Sequence, residues 1–145
     1  MIVTGEKSND RERVIALINI LFKARFARDL EQFRPYLAPD MVYRMVGQRY
    51  HSPFSGEFHG PDAVLNGVHN MNIEFEFENM TLDKIIFDSN GNDVAVRWHG
   101  RWKNRGTNAA ADFEGFAHLV FENGLVKAYT NFVDTALVAN ISGWD

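Results

Sequence analysis

Residues 112–134, DFEGFAHLVFENGLVKAYTNFVD, hold two strand-like runs closed by Glu122-Asn123-Gly124. An Asn-Gly pair between alternating runs is a strong hairpin signal, because the turn needs φ > 0 and both residues accept it at little cost. Alternation also sorts the side chains by face. Phe113, Gly115, Ala117, Leu119 and Phe121 share one face, with Phe116, His118 and Val120 opposite. On the second run Tyr129, Asn131 and Val133 lie together, with Thr130, Phe132 and Asp134 opposite. Asn131 is an uncharged amide among apolar and aromatic residues, so this hairpin bears on chemistry as well as on fold.

Working outward, Asn90-Gly91 turns a chain extended over Thr81–Phe87 into a run over Asp93–Lys103, and polar residues Asn104–Asn108 make a looser turn. Phe75 and Phe77 already show period-two spacing. Before about Met71 the texture is helical. Ser8 or Asn9 can cap a helix whose stripe is Val14, Leu17, Ile18, Leu21, Phe22 and Phe26. A second short helix is predicted from about Asp29 to Tyr36, stopped near Pro39-Asp40, followed by a short strand over Met41–Val46 and a loop over Gln48–Pro61. Pro61 suits the first position of a third helix, with Asp62 just inside it. Helices followed by a run of antiparallel strands predict an α+β fold with the helices packed on one sheet.

The chain has 145 residues, of which 46% are hydrophobic, which fits a single domain spanning 1–145 with a real core. With no Cys, disulfides and thiolate chemistry are excluded. A net charge of −4 with scattered Lys and Arg argues against a nucleic-acid partner. MIVTGEKSNDRER lacks a signal-peptide core, and no apolar run has bilayer-spanning length, so the expectation is a cytoplasmic protein without a membrane partner. His51, His59, His69 and His118 are dispersed, which predicts no metal. Neither a Gly-rich phosphate loop nor a nucleophile elbow is present, and no cofactor is expected. Twelve Phe, four Tyr and three Trp supply a bulky core, an aromatic-lined pocket or an apolar dimer face.

The order of elements, with PFSGEFHGPDAV at 53–64, NDVAVRWHGRW at 92–102 and FENGLVKAYTNFVD at 121–134, resembles the nuclear transport factor 2-like superfamily. Within it the chain is most similar to the SnoaL-like, ketosteroid isomerase-like and limonene epoxide hydrolase-like branch, over about residues 11–138. The resemblance implies a cone: a curved antiparallel sheet wrapped around about three helices, cystatin-like in type. It also implies a homodimer through the outer sheet face, here Trp98, Phe116 and Phe132. The superfamily holds enzymes, binding proteins and interaction modules, so fold alone assigns no activity.

Over Val94–Lys103 the alternation admits two readings. Val94, Val96, Trp98 and Trp102 share one face and Ala95, Arg97, His99 and Arg101 the other. Pattern alone buries the first set. The resemblance reverses this, because the epoxide hydrolases point an Arg-x-Asp pair into the cone on this strand, and Arg97-Trp98-His99 falls on it. That second reading is the expectation taken. Tyr43 matches a hydrogen-bonding tyrosine of those enzymes, while their neighbouring Asn is Met45 here. Their two Asp positions carry His99 and Asn131, so their mechanism does not carry over. The acids that ketosteroid isomerase needs are missing at Arg44–Val46 and at Ala117. Asp134, the one late acid that a cyclase would use, points away from the pocket.

The resulting candidates are His99 as proton carrier, Arg97 for a developing enolate or a ligand carboxylate, and Tyr43 and Asn131 as hydrogen-bond partners. Phe22, Phe26, Met45, Phe54, Phe113, Gly115, Ala117, Tyr129 and Val133 would line the pocket, with Phe54 and Phe58 at its rim. The opposing reading makes Arg97 and His99 a structural ladder with Glu114 or Asp112. The function expected is a cofactor-independent isomerase, cyclase or hydrolase. It would act on a mostly apolar ring compound with a carbonyl or carboxylate, by proton transfer in the cone. The alternatives are a non-catalytic small-molecule binder and a dimeric interaction domain of the same fold.

Overall fold

A computed structural model describes residues 2–27, 29–47 and 54–144, the side chains of 2–9 and 27 excepted. Helix α1 (Ile2–Ala27) and a 3₁₀ helix (Leu30–Tyr36) lead into strands β1 (Leu37–Met45) and β2 (Gly56–His59). Helix α2 (Pro61–Glu74) follows, then β3 (Phe75–Phe87), β4 (Asp93–Asn104), β5 (Ala110–Glu122) and β6 (Leu125–Phe132), and helix α3 (Thr135–Ser142). The sheet order is β2-β1-β6-β5-β4-β3. β1 runs parallel to β6, and the other neighbours are antiparallel. This is the α+β cone. Register shifts in β3, with Asn79 at φ 54°, mark bulges of the kind that bend a strand around a core.

The closing hairpin forms as read. Glu122 pairs with Leu125 across Asn123 and Gly124, at φ 53° and 76°. Pro61 opens α2 behind Gly60, and Asp62 sits in its first turn. Four boundaries differ from expectation. α1 already runs from Ile2, which puts Ser8 and Asn9 inside the helix rather than at its cap. β1 begins at Leu37, ahead of Pro39; the register shift between Leu37 and Val42 leaves that proline, which has no N–H, outside the paired positions. β2 lies within the predicted loop, of which residues 48–53 are outside the described residues. α3 was not anticipated, and Asp134 is its N-cap, accepting from the Leu137 N–H at 3.0 Å.

The larger correction concerns β4. Directly opposed residues of neighbouring strands share a face. Val96 opposes Ala117, which opposes Asn131, while Arg97 opposes Phe116, which opposes Phe132. Once Ala117 and Asn131 point inward, Arg97 and His99 must point outward. Val94, Val96, Trp98 and Trp102 are buried inside, at 5% exposure or less. This arrangement removes two indoles from water and leaves two cationic or ionisable heads hydrated, the opposite of the costly alternative. Trp98 therefore belongs to the core and not to the outer face.

Candidate functional site

The cone holds a cavity that opens to solvent at its mouth. Its wall is mostly apolar, with Phe22, Phe26, Phe77, Val96, Trp98 and Leu119 among its residues. Arg25, Tyr43, Tyr129 and Asn131 supply polar atoms to the lining. No carboxylate or imidazole lines it among the described residues.

Arg25 reaches the cavity because of helical spacing. Ile18, Leu21, Phe22 and Arg25 fall at i, i+3, i+4 and i+7 on α1, so the guanidinium rides the stripe that faces the sheet. It donates to the side-chain oxygen of Asn72 on α2 and contacts Met71 Sδ at 3.8 Å. It also sits over the rings of Phe26 and Phe77, 5.1 and 4.8 Å from their centroids. Burial pushes its pKa down, opposed by the neighbouring hydroxyls of Tyr43 and Tyr129. Arginine stays charged despite such a shift. Among the described residues no carboxylate pairs with it. Cation–π contacts and an amide oxygen solvate this charge without neutralising it. The described lining of the pocket therefore carries a net positive centre.

Tyr43 and Tyr129 stand side by side on β1 and β6, ring centroids 5.2 Å apart. Burial pushes the Tyr43 hydroxyl up, with Arg25 and the Asn131 amide opposing. Burial also pushes Tyr129 up, Tyr43 adds to the rise and Arg25 opposes it. Both are neutral O–H donors at physiological pH. Because their folded pKa values lie above the unfolded one, their neutral forms contribute stability that is fully present below about pH 10 and is lost as pH rises through the folded values. The urea midpoint is expected to fall steeply above about pH 10, and a Tyr43→Phe, Tyr129→Phe double variant should flatten that fall. An unchanged slope in the double variant would refute the assignment. Asn131 faces Tyr43, yet its Oδ1 is buried without a hydrogen-bond partner, as is the Nε1–H of Trp102.

Of the residues singled out from sequence, Tyr43, Asn131, Phe22, Phe26, Ala117 and Tyr129 come together around this cavity. Met45, Phe54, Phe113 and Val133 do not line it; they pack in a second apolar cluster with Phe75, Trp102 and α3. Phe54 lies against Phe75 and Trp144, and Phe58 against Tyr43, so they do not form the expected rim. Gly115 offers no ligand space, because a Cβ there would meet Trp98 Cζ2 at 2.5 Å and the Phe132 carbonyl at 2.6 Å. Arg97 and His99 are on the outer face, where Arg97 pairs with Glu114 at 3.6 Å and His99 Nδ1 with Asp83 at 2.7 Å. This is a cross-strand ladder with Glu114 as expected for Arg97, but with Asp83 on β3 rather than Glu114 or Asp112 as the partner of His99. Exposed pairs of this kind contribute about 0–1 kcal/mol. Arg97→Ala and His99→Ala should leave ligand affinity within about twofold. A tenfold loss in either, read by titration, would return them to the site.

The apolar stripe over Val14–Phe26 does not by itself mark Arg25, which lies among its residues. A charged residue at the i+7 position of a buried stripe was the available signal.

A family model described as a SnoaL-like domain matches residues 16–129. No curated protein matches the sequence. A nuclear transport factor 2-like protein of unknown function from Burkholderia pseudomallei superposes with a TM-score of 0.77 at 20% identity, covering 89% of this chain and 96% of that one. TerC, co-crystallised with polyporic acid, gives 0.78 at 13% identity, covering 90% and 98%. An LEH-like epoxide hydrolase from M. tuberculosis gives 0.68 at 16% identity, covering 91% and 97%. At these identities the likeness is one of fold.

Proposed function

The chain belongs to the SnoaL-like domain family, and we propose that its cone takes a small, mostly apolar ring compound whose carboxylate or enolisable carbonyl lies on Arg25. The observation that carries this is a half-buried guanidinium, set in an aromatic cavity, without a carboxylate among the described residues. A negative oxygen there gains the field of Arg25 and the O–H groups of Tyr43 and Tyr129, in a site where water screens little. As a catalyst of the isomerase or cyclase kind, the same donors would stabilise an enolate as it develops. The proton would then pass to water or to the substrate's own groups, since His99 faces outward. TerC's co-crystallisation with polyporic acid makes that compound a reasonable first probe.

Quenching of Trp98 and Trp102 fluorescence by aromatic carboxylates and by their methyl esters tests the reading. Acids should bind at least about thirtyfold more tightly, the lower bound for a buried charge pair. Equal affinity for acid and ester would defeat it. A second reading, non-catalytic binding, is favoured by the lack of a carboxylate or imidazole in the described lining. Deuterium exchange at the α-carbon of a simple cyclic aryl ketone such as 1-tetralone, faster than the uncatalysed rate and followed by NMR, separates the two. The homodimer is likewise a proposal; its outer-face patch is Phe116 and Phe132, opposed in register and 45% and 46% exposed, and sedimentation equilibrium would detect it.

A further inference from the structure

The hydrogen-bonding atoms of the cavity are unevenly divided. Arg25, Tyr43 and Tyr129 present donors, and so does Trp102, whose Nε1–H is buried without a partner on a residue 3% exposed. Against these stands Asn131 Oδ1, an acceptor that is also buried and unpartnered. A buried polar atom left unpaired costs about 1–3 kcal/mol, and folded proteins retain few of them. The two orphans have opposite hydrogen-bonding sense and belong to residues lining the same cavity, so a ligand that fills the cavity can pair both. Donors in excess call for an oxygen-rich ligand. An orphaned amide acceptor calls for one hydroxyl that keeps its proton.

We infer that the ligand is a hydroxylated ring monoanion, with a negative oxygen at Arg25 and a protonated hydroxyl donated to Asn131 Oδ1. This rests on the reading of Arg25 given above and narrows it. An amide suits the task better than a carboxylate, since it accepts the hydroxyl proton without placing a second negative charge beside the ligand's own. An ether at that position would set one lone pair against another, and a bare C–H would leave Oδ1 as it is now.

Titration of the wild type and Asn131→Leu with 2-naphthoate, its positional hydroxy isomers and their methyl ethers tests this. In the wild type at least one hydroxy isomer should bind about tenfold more tightly than both 2-naphthoate and its own ether, the scale of one buried hydrogen bond restored. In Asn131→Leu, shown folded by circular dichroism, that ratio should collapse to about one. If no hydroxy isomer gains over its ether in the wild type, or if the gain survives Asn131→Leu, the inference is overturned while the Arg25 reading stands. If all the acids bind no better than their methyl esters, the Arg25 reading fails and the inference with it.

Discussion

Arg25→Met is expected to weaken binding of an aromatic carboxylate by roughly 30- to 3,000-fold, the range that follows from losing about 2–5 kcal/mol when one partner of a buried charge pair is removed. Methionine is chosen because it keeps an unbranched apolar chain between Phe26 and Phe77, so that charge rather than shape is the variable. The same change should leave the unliganded protein as stable as the wild type or more so. The wild type bears a desolvated cation with no carboxylate partner among the described residues, and its removal relieves that cost. Lower affinity together with undiminished thermal stability is the signature of a charge kept for a ligand. Lower stability with unchanged affinity would instead make Arg25 a structural residue that ties α1 to Asn72 on α2. Isothermal titration and thermal unfolding of both proteins distinguish these outcomes.

The second large effect falls on stability. Asn104, 1% exposed, donates from its amide to Glu74 Oε1 at 2.8 Å and to Ser142 Oγ at 3.0 Å. Its Oδ1 accepts from the backbone N–H of Gly106 at 2.9 Å and of Thr107 at 3.0 Å. One side chain thus joins the end of α2, the β4–β5 connection and α3, and Thr107 adds its own hydroxyl bond to the Ile141 carbonyl. Asn104→Ala removes its own four side-chain bonds and strands several buried groups at once, while the Thr107 bond to Ile141 stays. A loss of about 3–4 kcal/mol is expected, from orphaned groups at about 1–3 kcal/mol each with partial rehydration. For a chain of this size that lowers Tm by roughly 6–16 °C. Amide exchange should quicken first in α3, whose attachment depends on the hub. A shift under about 1 kcal/mol, by urea denaturation, would show that the loop and α3 hold without it.

Much of the fold was legible before any coordinates because its signals are local. Asn123-Gly124 and Pro61 act through their own backbone preferences, and the residues beside them needed no partner to be interpreted. In the sequence Asn104 shows only as the start of a loose turn, for the converse reason. Its four side-chain bonds reach positions 74, 106, 107 and 142, and those at 74 and 142 are not visible in a local window. Met45, Phe54, Phe113 and Val133 failed as pocket residues on similar grounds. Each is apolar and well placed along the chain, but whether an apolar residue faces a cavity or a second cluster depends on what α3 covers.

By itself the sequence determined the hairpin, the run of strands and the sharing of one strand face by Ala117 and Leu119 and of another by Tyr129 and Asn131, since alternation and turn chemistry belong to single strands. Which face of β4 joins them was decided only by register. Val96 lies opposite Ala117, and that pairing carries Trp98 and Trp102 inside and leaves Arg97 and His99 in water. The charge of the site was decided by tertiary structure as well. α1 delivers Arg25 to a chamber built from β1, β4, β5 and β6, and only their joint packing turns an ordinary helical arginine into a partly desolvated cation facing the cavity.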